Sequence, residues 1–322
     1  MSVLSNAIQV NVEEETSRIT EWIRQRVIHE FKRRGGVIGV SGGIDSSLVL
    51  GLAVRALGSR NVTAFSLPEK DSSPESLALA TELTNHFDVE LIVDDITPAL
   101  EGLGCYAQLT ESIREAFPDY NSATDKVKLV LPDNLLDKPG LNVFSLALLR
   151  PGEPERRKIL PPRAYLGIVA ATNMKQRTRM MRLYFQAERR NYAVIGTANR
   201  NEHDQGFFVK YGDGGVDMQP IRHLLKTQVY QLARHVGVPE GIIERTPTTD
   251  TYSAGSTQEE FYFRVPFALL DRIWLGMDRG MKNEEIANDL GLQKEQVDRV
   301  TADILQKKRT TEYLRMAPLY LD

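Results

Sequence analysis

Apolar positions recur at two spacings along this chain, and the switching between them predicts its architecture. From about residue 13 to 32 the spacing is helical, with Ile19, Trp22, Ile23, Val27, Ile28 and Phe31 on one face. The β-branched run Val37, Ile38 and Val40 then reads as a buried parallel strand, and Leu48, Val49, Leu52, Ala53 and Leu57 return to helical spacing behind it. A second strand, Val62 to Leu67, leads into a helix through Phe87 that Ser72 or Ser73 can cap, with Pro74 in its first turn. A third strand follows at Glu90 to Val93. A long helix from Ala164 to about Asn191 precedes a fourth strand, Tyr192 to Ile195. Alternation of this kind predicts an α/β fold, a doubly wound parallel sheet with its ligand crevice at the carboxyl ends of the strands.

The rhythm fails between about 101 and 163, where prolines and glycines cluster in LPDNLLDKPGLN and LRPGEPERRKILPPR and no long amphipathic repeat runs. A structureless loop of that length is unusual in a compact domain. The segment is therefore expected to be an insertion with some local structure, a lid or a subunit contact, within a single domain spanning 1–322. From about 257 onward the pattern is helical.

Composition narrows the classes. The 322 residues suffice for a large core, and the net charge of −3 gives no general nucleic-acid footprint. The basic clusters Arg189-Arg190 and Lys307-Lys308-Arg309 read as solvated helix ends. No apolar stretch is long enough to span a bilayer, and acidic residues stand near the N-terminus where a signal peptide has its apolar core, so a cytoplasmic protein is expected. Cys105 is the single cysteine; it excludes an intramolecular disulfide and, set in LGCYAQ, lacks the surroundings of a nucleophile elbow.

Candidate chemistry concentrates in two loops. In GVIGVSGGIDSSLVL, residues 36–50, a strand ends in Ser41-Gly42-Gly43-Ile44-Asp45-Ser46-Ser47 and a helix begins at once. The glycines let the backbone approach an anion, toward which the helix N-terminus points its N–H groups. Asp45 beside a polyphosphate would be repelled unless a cation lay between them, so the loop suggests Mg²⁺ with a nucleotide. No Gly-Lys-Ser/Thr follows, which excludes a Walker loop. The second loop, GTANRNEHDQGFFVKYGDGGVDMQPI, follows the fourth strand and has the composition of an active-site rim.

SGGIDSS resembles the signature of the N-type ATP pyrophosphatases, which split ATP into AMP and pyrophosphate while activating a substrate oxygen. Four further stretches, Asn173 to Met180, Gly196 to Glu202, Gly206 to Asp217 and Lys226 to Pro239, occur in the order found in the ammonia-dependent NAD synthetases. The likeness continues through Pro247-Thr248 and EYLRMAP, and omits the first dozen residues and the segment around 105 to 163. The resemblance implies a Rossmann-like sheet of the adenine nucleotide alpha hydrolase type. It implies an enzyme that adenylates nicotinic acid adenine dinucleotide with ATP and then lets ammonia displace AMP. It further implies that Ser41, Gly42, Gly43, Ser46 and Ser47 grip pyrophosphate and that Asp45 and Glu202 bind Mg²⁺. Thr197, Lys226 and Thr248 would contact ATP, while Asn173, Arg177, Lys210 and Asp213 would hold the dinucleotide, with Asp45, Lys210 and Lys226 closest to the chemistry. Family members are homodimers with the helix near Asn173 at the interface, which would let Arg177 act in a neighbour's site.

The chain departs from the family pattern in places. Asn201 stands where a Ser usually precedes the glutamate, His203-Asp204-Gln205 and Val209 replace common Thr-containing positions, and the late loop reads TPTTDTYSAGSTQEE where GQTDE is usual. These differences leave open an amide ligase acting on a different carboxylate or amine. A third reading rests on 281–305, which resembles a helix-turn-helix, although Gln293, Lys294, Glu295, Gln296 and Asp298 give its second helix little positive charge for a DNA groove. Since no glutaminase domain is apparent, free ammonia is the expected donor.

Overall fold

The computed structural model describes residues 3–131, 134–137, 144–247, 253–255 and 257–321. Among these, the strands in chain order are β1 Gly36–Gly39, β2 Val62–Ser66, β3 Glu90–Val93, β4 Lys126–Val130, β5 Ser145–Leu149, β6 Arg156–Ile159 and β7 Ala193–Val194. Four of them form a parallel sheet in the order β3-β2-β1-β7, with Val37 opposite both Thr63 and Val194. From β1 the chain winds one way through β2 and β3, then returns to place β7 on the other side. The order reverses between β1 and β7, so the loops leaving those two strands part there and open a crevice.

Helices cover both faces, and β1 and β2 are accordingly almost entirely buried. On one face Ile44–Leu57 lies under Val12–Arg24 and Lys226–Val236, burying Leu48, Leu52 and Ala53 with Ile19, Ile23, Val229 and Leu232. On the other, Pro162–Arg190 packs Ala171, Met180, Leu183 and Ala187 against Val37, Phe65 and Val194. The predicted first helix is α-helical only to Arg24 and closes with a π-helical turn, Gln25–Glu30, in which Phe31 N–H donates to Arg26 O at 2.8 Å.

The segment expected to be irregular is largely ordered. Helix Cys105–Ala116 is followed by an antiparallel sheet, β4-β5-β6, with Lys126 opposite Leu149 and Ser145 opposite Ile159. Val127, Leu129, Leu146 and Leu148 pack against Ile113, Phe117 and Ile168. The segment's short strands lie among clustered prolines and glycines with no amphipathic helix between them to set a rhythm, and β6, Arg-Arg-Lys-Ile, is mostly exposed and carries no apolar alternation.

The C-terminal helices Phe267–Asp278, Asn283–Leu290 and Lys294–Thr310 form a second core around Ile273, Trp274, Ile286, Val297 and Val300. In the helix-turn-helix-like pair, Gln296 and Arg299 donate to the carbonyls of Leu136 and Leu135 at 3.0 and 2.7 Å. Two polar side chains of the would-be recognition helix are thus engaged within the protein. Among the described residues no helix is long and apolar enough to cross a membrane.

Candidate active site

A cleft of about 830 Å³ opens at the carboxyl ends of β1, β2 and β7. Its floor is the loop after β1. Gly42 has φ +71°, and a Cβ there would stand 2.7 Å from Leu79 Cβ, so this turn requires glycine. Gly43 is the N-cap of Ile44–Leu57, its carbonyl accepting from Ser46 Oγ and Ser47 Oγ at 2.9 Å each. Ser41, Gly42, Gly43, Asp45 and Ser46 line the cleft. Ser47 differs from expectation: its hydroxyl is turned down onto Gly43 and is fully buried, and its N–H is used in the helix.

The loop after β7 adds the second carboxylate. Asn199 caps Arg200–Gln205 in a reciprocal box, accepting from Glu202 N–H at 3.0 Å while Glu202 Oε2 accepts from Asn199 N–H at 3.2 Å. Asn199 Nδ2 also donates to Asp45 Oδ1 at 2.8 Å, fixing the two acids relative to each other. Lys226 opens helix Lys226–Val236, is almost entirely buried, and donates from Nζ to Asp45 Oδ2. Three segments far apart in sequence thus meet at the switch point.

Charge in this recess is unbalanced, two carboxylates against one ammonium. Burial, and then the Asp45 charge, push the Glu202 carboxyl well above its usual range. Burial alone would lower Lys226, but Asp45 and Glu202 outweigh it and hold the ammonium above its ordinary value. Gln258 spans the pair, donating to Glu202 Oε1 at 3.4 Å and accepting from Lys226 Nζ at 3.5 Å. The donor set facing the cleft is oxygen only, as a hard divalent cation requires. Among the described residues no group of three or more His, Cys, Asp or Glu could hold an ion by itself.

Asn201, the departure from the family pattern, has a structural task. Its Oδ1 accepts from Lys226 N–H at 2.9 Å and its Nδ2 donates to Asp271 Oδ1 at 2.6 Å, while Asp271 Oδ2 accepts from Thr227 N–H at 2.7 Å. Burial raises Asp271 to about 6 despite these bonds. A carboxyl whose folded pKa exceeds its unfolded one favours folding most below the unfolded value, and that contribution is lost as pH rises through the folded value. The stability of wild type relative to Asp271→Asn is therefore expected to fall by about 2 kcal/mol between pH 4 and 6, read from denaturant titrations. A pH-independent difference would show that Asp271 ionises normally.

Thr197, Asn173, Arg177, Lys210 and Asp213 all line the same cleft, whereas Thr248 lies outside the described residues. Asp213 accepts from Val209 N–H at 2.9 Å; surrounding protein raises its pKa, an effect limited by the open water it faces. Arg177 Nε donates to Lys210 O at 3.2 Å. Lys210 itself is turned to the C-terminal tail, its Nζ donating to Tyr313 O and Met316 O at 3.0 and 2.8 Å. Lys175, within the Asn173 to Met180 stretch, points away from the cleft into a buried ion pair with Glu69 (2.9 Å), with Asp71 at 3.0 Å. Tyr106 OH donates to Glu69 at 2.8 Å, so this network anchors the 68–73 loop, whose Ser72 and Ser73 line the cleft. Sequence reasoning missed Asn199 although Asn-x-x-Glu is a capping signature; it missed Gln258, whose partners lie 32 and 56 residues away.

Cys105 is buried behind the sheet, its thiol donating to Ala171 O at 3.3 Å and pushed up by burial. Cys105→Ala is expected to keep turnover within about twofold and to cost about 1 kcal/mol of stability. Loss of activity in that variant at retained stability would contradict a packing role.

The NAD synthase family model matches residues 15–123 and 163–318. The chain belongs to the NAD synthase family. It is 46% identical over 98% of its length to the NH(3)-dependent NAD(+) synthetase of Rhizobium meliloti, covering 93% of that protein. It is 37% identical over 92% of its length to the enzyme of the same name from Thermotoga maritima, covering 95% of that protein. Among solved structures, NMN synthetase from Francisella tularensis superposes with a TM-score of 0.65 at 22% identity, over 98% of this chain and 100% of that one. An NH3-dependent NAD synthetase from Campylobacter jejuni gives 0.60 at 21% identity, over 97% and 100%. These structures share the fold, and the stretch from 124 to 162, which carries the antiparallel sheet, falls outside the family match.

Proposed function

We propose that this protein converts nicotinic acid adenine dinucleotide, ATP and ammonia to NAD, AMP and pyrophosphate. The observation that carries the reading is the convergence of Asp45, Glu202 and Lys226 beside a glycine-built phosphate loop at the switch point of the sheet. The identity to NH(3)-dependent NAD(+) synthetases supplies the acid and the nitrogen donor. A carboxylate resists amidation because oxide would have to leave. Attack of a carboxylate oxygen on the α-phosphorus expels pyrophosphate; ammonia then adds to the acyl carbon, the C–O bond breaks, and AMP departs with that oxygen.

The chain's own groups divide this work. Backbone N–H groups around Gly42 and Gly43 take the departing pyrophosphate, and Lys226 offsets phosphate charge. Asp45 and Glu202 fit Mg²⁺, because two carboxylates with substrate phosphates and water make an oxygen shell. When bound, the ion would neutralise charge gathering on the phosphates. Thr197, Asn173, Arg177 and Asp213 hold nucleotide and dinucleotide in line. Lys210 joins them after leaving the carbonyls of Tyr313 and Met316.

A homodimer through the long helix is part of the same reading. Leu166, Met181 and Phe185 stand 63%, 58% and 49% exposed along it, an unusual burden of apolar surface for one helix. This apolar surface supports a dimer, and a cytoplasmic location is part of the same reading.

The test is a product assay with purified protein, Mg-ATP and ammonium, offering nicotinic acid adenine dinucleotide and, separately, nicotinic acid mononucleotide. Matched NAD and AMP from the dinucleotide is the expected result. Preference for the mononucleotide would move the assignment to a ligase for another carboxylate, and glutamine working as well as ammonium would contradict the donor.

A further inference from the structure

The inserted antiparallel sheet supplies one wall of the cleft. Leu129 of β4, Leu131 just after it and Phe144 just before β5 all line it. The Phe144 ring stacks on Tyr165 with centroids 5.1 Å apart and planes 18° apart, and Phe261 and Phe207 extend the aromatic surface at 6.2 and 5.9 Å centroid spacing. Asp45, Glu202 and Lys226 line the same cleft. Phosphates and carboxylates need no such wall, whereas the flat rings of the two substrates and an activated acyl group beside them can rest against it.

The wall is tied to the charged centre by the chain itself. Ala254 N–H donates to Val127 O at 3.1 Å, Val127 N–H donates to Ser253 Oγ at 3.0 Å, and Leu135 N–H donates to Arg264 O at 3.2 Å. Between those two attachments runs the segment bearing Gln258, which touches both Glu202 and Lys226, and Phe261, which belongs to the wall. Sheet, aromatic surface and catalytic recess are therefore set by one segment.

We infer that the inserted sheet, through Phe144, Leu131 and Leu129, makes the cleft selective for ammonia over water at the activated acyl group. This rests on the adenylation reading above. An acyl-adenylate attacked by ammonia gives the amide and AMP; attacked by water, it returns the acid with AMP, consuming ATP to no effect. Water vastly outnumbers ammonia, and exclusion of bulk water by an apolar wall is the physical means of suppressing that side reaction.

The experiment is the AMP-to-NAD ratio at stepped ammonium concentrations for wild type, Phe144→Ala, Phe144→Leu and Leu131→Ser, with melting temperatures for each. Wild type is expected to hold a ratio of one. Phe144→Ala is expected to exceed it several-fold at low ammonium and to return toward one as ammonium rises, while Phe144→Leu restores coupling. Leu131→Ser, on the same wall, is expected to uncouple likewise and reads the proposal independently if Phe144→Ala does not fold. A ratio of one at every ammonium concentration in a folded Phe144→Ala or Leu131→Ser protein would overturn the inference. Absence of NAD from wild type would instead overturn the reaction on which it rests.

Discussion

Asp45→Asn is expected to lower NAD formation on the order of 10³-fold while the fold is retained, because the variant keeps the shape of the side chain and removes its charge. Asp45 receives both Lys226 Nζ and Asn199 Nδ2 and faces the cleft floor, so it fixes the ammonium as well as offering oxygen to a cation. An amide presents one acceptor oxygen where two are used. Glu202→Gln should have a comparable effect on turnover, since its carboxylate supplies the other half of the oxygen set. Steady-state turnover beside circular dichroism and melting curves reads both outcomes. Full activity in either folded variant would remove the metal role from that residue.

Lys226→Met is expected to affect stability as well as activity. Removing one partner of a buried ion pair costs about 3–5 kcal/mol, chiefly through the charge left behind. Here two carboxylates would remain face to face, with burial and Asp45 already raising Glu202. Taking away the ammonium raises Glu202 further, so its contribution to stability is retained below the unfolded glutamate range and lost as pH rises through the folded one. The deficit of Lys226→Met should thus be larger at pH 8 than at pH 5, and adding Asp45→Asn should restore part of it. Denaturant titrations of the single and double variants at both pH values measure this coupling. A deficit that is independent of pH and additive would mean that Lys226 contributes packing alone.

What the sequence disclosed was local in kind. β1, the loop at Ser41 to Ser47 and the helix behind it were legible because a β-branched run, a pair of glycines and a helical repeat adjoin one another. The parallel sheet followed from alternation, and the ordered stretches from Asn173 to Pro239 carried the family. What escaped was built from distant pairs or from strands that no helical repeat separates. Strands β4 to β6 follow one another without intervening helices, in a stretch rich in proline and glycine, and one is largely polar. Gln258 acquires its place from Glu202 and Lys226, and Lys175 from Glu69, neither near it in sequence. Residue type also could not orient side chains: Ser47 turns down onto Gly43 and Lys210 toward the tail carbonyls, although both sit in the matching motifs.

The chemistry itself leaves a mark in the products. Nicotinic acid adenine dinucleotide labelled with ¹⁸O in its carboxylate would be turned over with Mg-ATP and ammonium, and AMP and pyrophosphate analysed by mass spectrometry. Adenylation followed by attack of ammonia predicts one labelled oxygen in each AMP and none in pyrophosphate. Unlabelled AMP, or label in pyrophosphate, would contradict activation of the carboxylate at the α-phosphorus.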